Sequence, residues 1–489
     1  MIKNRVRGRW LWRAGVLALV LLCQQSRLFA ADGTREFPLG QRQLFLDDVG
    51  VARIENLHRT MHRPAKKGAV IRPDPMQPRG TLQIRTAPFW VEEMQAFRFL
   101  VADTAGARSL FRWFRSSDGL HWRPGGQPKL GMYMVVYDPQ DPDRVRRYKT
   151  VRPNEGVAVS PDGIEWMMVP GVPGVPTADE QNLSFDPVNR QFLLSVKRGG
   201  PHGRAVALAV SGDFTDWDDY GVVFSADDRD QELGRQVIAA RLADATFQQP
   251  YFKPDPSVYN VDVYNMGVFR YEGLYIGLPA MYHATSPNPY SANTEGFHLI
   301  QLACSRNLKT WRRLGARQAF IGASRRESGA YDLTQMIGPS NAVVRGDELW
   351  FYYTALKYRF DGRVKVAGKW VPASDFRADR DAGAVCLAVL RRDGFISLDA
   401  DAAAGIIETK SFTLAGNRLW VNVDAGDGEL GVEILDGAGQ VIAQSEPLAG
   451  DLLRAPVKWP VDSLTRFKGR LVRLRFTLRN AQFFSYWLE

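Results

Sequence analysis

The stretch Gly156-Val157-Ala158-Val159-Ser160-Pro161-Asp162-Gly163-Ile164-Glu165-Trp166 decides the fold class. A short apolar run ends at a serine, an Asp-Gly turn follows, and a tryptophan closes the segment. Asp accepts hydrogen bonds from the backbone just ahead of it, Gly tolerates positive φ, and the aromatic packs between neighbouring sheets. The same pattern recurs. Ser117-Asp118-Gly119-Leu120-His121-Trp122 follows Leu110 to Phe114, and Ser211-Gly212-Asp213-Phe214-Thr215-Asp216-Trp217 follows Ala205 to Val210. Ser305-Arg306-Asn307-Leu308-Lys309-Thr310-Trp311 follows Ile300 to Cys304, and a degenerate copy, Arg391-Arg392-Asp393-Gly394-Phe395, follows Ala384 to Leu390. These turn residues read as scaffold.

Upstream of each copy lies a second hairpin pattern, with turns at Glu92-Glu93, Pro139 to Pro142, Pro187-Val188-Asn189, Tyr271-Glu272-Gly273 and Arg345 to Glu348. Two hairpins per copy make four strands, and the first two copies are about 45 residues apart. Four-stranded repeats of roughly 40–50 residues are propeller blades. The expected fold is therefore all-β, a five-bladed β-propeller over residues 38–403. From 404 to 489 the pattern becomes alternating strands broken by Ala415-Gly416-Asn417 and Gly437-Ala438-Gly439, which reads as a β-sandwich. Helices are expected to be nearly absent. Aligning Asn307 with Asp393 sets Cys304 and Cys386 four residues apart along a strand, about 13 Å. That is beyond disulfide reach.

Residues 1–30 read as a signal peptide: basic residues from Lys3 to Arg13, an apolar run from Val16 to Cys23, and Ala30 at the exit. Export is the expected localisation, with no stable membrane insertion after cleavage. The formal net charge of the 489-residue chain is +10, but the first thirty residues hold six Lys/Arg and no acid, leaving about +4. So mild a charge argues against nucleic acid as a partner. Gly-rich phosphate loops, Cys-x-x-Cys pairs and Gly-x-Ser-x-Gly elbows are missing, so no metal or cofactor is expected.

A propeller gathers the first strand of every blade around one funnel, where ligands bind. Acids placed just before those strands are the candidates for chemistry. Asp47-Asp48 follows Leu44-Phe45-Leu46; Asp179-Glu180-Gln181-Asn182 opens the third repeat; Asp262, with Tyr264 and Asn265, opens the fourth; Tyr331-Asp332 approaches the fifth; and Arg85 lies in the first. Glycoside hydrolysis needs two carboxyl groups, one protonated and one ionised. In this reading Glu180 is the general acid and Asp48 the nucleophile or base, while Asp262 and Asp332 orient the acid or hold hydroxyls. Asp47, Arg85, Asp179, Asn182, Tyr264, Asn265 and Tyr331 would bind a carbohydrate substrate. The structural alternatives are that Asp47 or Asp48 caps a turn and that Asp332 pairs with Arg325 or Arg326.

The Leu-Phe-Leu-Asp-Asp segment at 44–48, the repeated turns and the trailing sandwich together resemble the glycoside hydrolase family 32 and 43 superfamily. The resemblance implies a five-bladed propeller with catalytic acids in a central funnel and, as in family 32, a C-terminal sandwich. The chain departs from family 32 in lacking its Trp-Met-Asn-Asp-Pro-Asn-Gly, Arg-Asp-Pro and Glu-Cys motifs; Phe185-Asp186-Pro187 falls at a hairpin turn. Cleavage of fructan or sucrose is thus not implied. The expected function is an exported glycosidase, against two alternatives: a non-catalytic carbohydrate-binding propeller and a protein-interaction propeller, which would show a large exposed apolar patch.

Overall fold

The computed structural model describes residues 35–74, 80–103, 109–289, 292–358, 363–366, 369–372, 381–460 and 463–489. The expected signal peptide, 1–30, lies outside the described residues. The chain is all-β, 51% strand and 8% helix.

The repeated turn forms through its own side chains. Ser160 Oγ accepts from Gly163 N at 2.8 Å, and Asp162 Oδ1 accepts from Ile164 N and Glu165 N at 2.8 and 3.0 Å. The Trp166 indole donates to Gly163 O at 3.0 Å. Serine and Asp or Asn make the same bonds at Ser116/Asp118, Ser211/Asp213 and Ser305/Asn307. In the first copy the working serine is Ser116, one residue before the Ser117 of the sequence pattern. The residue after the Asp or Asn has positive φ in each of these four copies: Gly119 78°, Gly163 76°, Phe214 66° and Leu308 65°.

Asp393 also has φ 65°. Leu390 pairs with Leu349, the second residue of its strand, as Ser305 pairs with Tyr275. Asp393 therefore matches Leu308, one position away from the alignment with Asn307. Cys304 and Cys386 are then three residues apart along the strand, not four, and both are buried free thiols.

Between residues 65 and 391 the described strands form a ten-stranded sheet, two four-stranded sheets, a five-stranded sheet and a two-stranded one. The ten-stranded sheet is two antiparallel units, the first and the fifth, joined by parallel pairing of Gly80–Gln83 with Asp381–Arg391. The four- and five-stranded sheets are the three units between them. The first unit starts with Gly80–Gln83, the second with Val136–Tyr137, the third with Gln181–Asp186, the fourth with Asn260–Tyr271 and the fifth with Gln335–Ile337. The fifth is completed by Ala65–Ile71 from far upstream, antiparallel to Asp381–Arg391. Each neighbouring pair shares one apolar cluster. Leu100 and Trp113 of the first unit meet Val135 and Tyr148 of the second; Val151 and Val157 meet Leu183 and Phe192; Leu193 and Val206 meet Val263 and Met266; Ile276 and Leu278 meet Phe351 and Tyr353. Leu82 and Phe99 meet Trp350 and Val385, which joins the fifth unit back to the first. The units close a ring.

The first strands meet around its centre. Asn265 Nδ2 donates to Asn182 Oδ1 at 3.0 Å, Asn182 Nδ2 to Ser340 Oγ at 3.0 Å, Ser340 Oγ to Arg85 O at 2.7 Å, and Thr86 Oγ1 to Val135 O at 2.6 Å. Gly267 allows the fourth strand to approach the fifth, because a Cβ there would lie 1.8 Å from Pro339 O. Gly267→Ala is expected to lower stability by about 1–3 kcal/mol, through forced backbone shifts, and urea unfolding measures it.

The remaining strands form a twelve-stranded assembly around Leu419–Leu435. The sequence boundary at 38 is corrected here. Gln43–Leu44, Val51–Glu55 and His58–Met61 pair with Ala481–Leu488, Gly405–Thr409 and Ile396–Ala400. Phe37 and Phe45 fill this assembly's core beside Phe412, Phe483 and Tyr486. The near-absence of helix also needs correction at Asp228–Ala243, where Asp227 and Asp230 make a reciprocal capping box. Its buried stripe is Asp230, Gly234, Ile238 and Arg241. With a single aliphatic side chain, that stripe is invisible to hydrophobic periodicity.

Candidate functional site

Successive residues of a strand point to opposite faces, and this separates Asp179 from Glu180. Backbone pairing continues upstream of Gln181, with Lys197 N donating to Glu180 O at 2.9 Å and Ala178 N to Lys197 O at 3.0 Å. Glu180 turns inward to the ring centre, where it meets Arg85. Arg85 Nη2 donates to Glu180 Oε1 at 2.7 Å and Nε to Oε2, and both side chains are buried. Arg85 also donates to Ile84 O at 2.9 Å. Burial opposes the Arg85 charge, but Glu180 more than offsets it and the guanidinium pKa rises. Both Glu180 oxygens accept from this one guanidinium. The residue expected as general acid is thus held in a buried ion pair with Arg85.

Asp179 lies exposed on the rim of an open cleft of about 1110 Å³, lined also by Lys197, Arg198, Gly203, Arg204, Asp262 and Tyr264. Lys197 Nζ donates to Asp179 Oδ1 at 2.6 Å and stands 3.9 Å above the Tyr264 ring. Tyr264 is the bulged residue of its strand, since Val263 pairs with Met281 and Asn265 with Ala280. A bulge re-aims a side chain out of the regular alternation, here into the cleft. Across it, Arg204 Nη1 lies 3.1 and 3.2 Å from the Asp262 oxygens, and Arg204 N donates to Asp262 Oδ2 at 3.3 Å. Gly203, at φ 111°, leaves room for that carboxyl: a Cβ would stand 2.8 Å from Oδ2.

The two carboxyls of this cleft are pushed in opposite directions. Burial raises the pKa of Asp262, and Arg204 only partly opposes it. Burial also acts to raise that of Asp179, but the hydrogen bond and charge of Lys197 prevail and the net shift is downward. Lys197 falls below the usual lysine range because burial outweighs the charges of Glu180 and Asp179.

The other sequence candidates are elsewhere. Asp48 is paired with Arg59 and, at 3.0 Å, with Arg312; these contacts hold its pKa down against the effect of burial. Asp47 accepts from Val49 N at 3.1 Å, capping a turn, and from Arg306 at 2.7 Å. Both sit where the N-terminal strands meet the fourth unit's outer turn, so Asp48 does not join Asp179 or Asp262 as nucleophile. Asp332 is buried against Lys66, at 2.7 Å, and Tyr353, at 2.9 Å, while Tyr331 donates to Asp381. Lys66 belongs to the strand that completes the fifth unit, so Asp332 and Tyr331 are built into that unit, apart from the cleft. The partner of Asp332 is Lys66, not Arg325, which pairs with Asp244. Asn182 and Asn265 lie at the ring centre as described. Sequence reasoning missed Lys197 and Arg204, which flank the Gly199–Gly203 hairpin; a basic pair on either side of a glycine turn was the available signal.

No family model and no curated protein matches the chain. Solved structures do. The chain is similar to glycoside hydrolases of families 32, 43 and 62. A Bombyx mori family 32 β-fructofuranosidase mutant, in complex with sucrose, is 12% identical over 86% of this chain and 93% of its own, with a TM-score of 0.37. The catalytic domain of a Coprinopsis cinerea family 62 α-L-arabinofuranosidase is 11% identical over 67% and 97%, at 0.41. A Bacillus subtilis family 43 arabinoxylan arabinofuranohydrolase, in complex with cellotetraose, is 10% identical over 86% and 99%, at 0.32. What those enzymes cleave is a property of theirs. The fold of this chain rests on the strand pairings above, and its chemistry on the cleft.

Proposed function

We propose that the ring is a five-bladed β-propeller followed by a β-sandwich, and that the exported protein cleaves glycosidic bonds in the cleft between Asp179 and Asp262. The observation that carries this reading is a pair of carboxyls in one cleft whose environments drive their pKa values apart, which is how acid and base roles are divided. Asp262, the more easily protonated, gives its proton to the glycosidic oxygen as the C–O bond breaks. Asp179, held ionised by Lys197, receives the proton of the water that attacks the anomeric carbon. Glu180 and Arg85 form a fixed floor beneath them, and Tyr264 offers a ring face for a sugar to stack on.

Asp262→Asn and Asp179→Asn are each expected to lower sugar release from a panel of plant and microbial glycans by about 10²–10⁴-fold, the span of general acid–base catalysis. The active form has Asp179 ionised and Asp262 protonated. Activity therefore falls at low pH, as Asp179 takes a proton below the usual carboxylate range, and falls again as pH rises through the elevated pKa of Asp262. Asp179→Asn should abolish the acid limb of what activity remains. Full activity in both variants would refute the assignment, and binding of glycans without release by wild type would leave a carbohydrate-binding propeller.

A further inference from the structure

Arg85 is spent on Glu180, so any cation available to a ligand must come from the cleft wall. Three line it: Lys197, Arg198 and Arg204. Arg198 is matched by Asp219 outside the cleft, at 3.1 and 2.5 Å. Lys197 and Arg204 face Asp179 and Asp262. The guanidinium of Arg204 also packs 4.9 Å from the Tyr282 ring and 5.6 Å from the Tyr264 ring. When Asp262 holds a proton, Arg204 keeps its charge and its aromatic surroundings but loses its counter-ion. A cation so placed favours an anion beside it on the cleft side. A planar fork of N–H donors suits a carboxylate or a sulfate in particular.

We infer that the cleft selects a sugar carrying a negative charge, a uronate carboxylate or a sulfate ester, which takes over Arg204 from Asp262. This rests on the carbohydrate reading above and names the substrate class of that same site. It links two events: an anion that pairs with Arg204 releases Asp262 from its main opposing charge, so ligand binding and proton uptake by Asp262 favour each other. Lys197 and the backbone N–H of Arg204 also act on Asp262, and neither supplies a negative charge in the ligand's place.

Calorimetry on the full chain with methyl glucuronide, glucose 6-sulfate and methyl glucoside tests it. At low salt, at least one charged sugar should bind about tenfold or more tightly than methyl glucoside. Binding should weaken with added sodium chloride and take up protons when measured in buffers of different ionisation enthalpy. Arg204→Gln should remove most of the preference, and Lys197→Gln part of it; the salt series on wild type serves should Arg204→Gln fail to fold. Equal or tighter binding of methyl glucoside, or charged binding indifferent to salt, overturns the inference. Those outcomes leave glycoside cleavage standing if Asp262→Asn still loses activity on neutral glycans. Charged-sugar binding with an unimpaired Asp262→Asn enzyme supports the inference and removes the catalytic reading.

Discussion

Asp393→Ala should destabilise the protein by about 3–5 kcal/mol, the cost of leaving a buried charge without its partner, and should split one calorimetric unfolding transition into two. Asp393 is fully buried where the fifth repeat's degenerate turn reaches the C-terminal assembly. It accepts from Arg42, from Tyr271 Oη at 2.5 Å, from Ser485 Oγ at 2.6 Å and from Asn422 Nδ2 at 3.2 Å. Tyr271 belongs to the ring, whereas Arg42, Asn422 and Ser485 belong to the other assembly, so one carboxylate joins the two. Alanine would strand the Arg42 guanidinium, itself buried and stacked 3.9 Å from the Trp487 ring. Asp393→Asn is the control. It keeps the tolerance for positive φ and one carbonyl acceptor while deleting the charge, so it should lose less than alanine. Equal losses for the two would mean that the charge alone, and not backbone conformation, holds the junction; a loss confined to alanine would assign it to backbone conformation and neutral hydrogen bonds.

The same residue shows what was legible in the sequence. The four regular turns were readable because their hydrogen bonds are local: Ser to the residue three on, Asp or Asn to the residues two and three on. The fifth copy lost that serine and its Asp slipped by one position, because its bonds go to Arg42, Tyr271 and Asn422, partners no local rule can find. Non-local pairing also explains the two largest misplacements. Leu44-Phe45-Leu46 reads as a strand whichever sheet receives it, and besides Arg59 the arginines that pair with Asp47 and Asp48, Arg306 and Arg312, stand some 260 residues downstream. The strand Ala65–Ile71, two lysines among small residues, shows no sign in sequence that it completes the last unit and closes the ring. Asp179 and Glu180 are adjacent, and only the phase of the strand decides which is locked against Arg85 and which faces solvent.

That choice has its own test. Arg85→Leu should lose about 3–5 kcal/mol of stability by stranding Glu180, and Glu180→Leu a comparable amount by stranding Arg85. The double variant Arg85→Leu/Glu180→Leu removes both charges together and should be markedly more stable than either single variant, since apolar pairs of similar volume replace buried ion pairs well. Urea unfolding of the four proteins gives the coupling. Activity then separates the two readings of Glu180. As a floor beneath the cleft, the pair can be replaced with a loss of about tenfold or less, because Asp179, Lys197, Arg204 and Asp262 keep their mutual contacts. As the general acid, Glu180 could not be replaced by leucine without losing 10²–10⁴-fold, however stable the double variant proved. A folded, inactive double variant would return Glu180 to the chemistry and reduce Asp262 to a partner of Arg204.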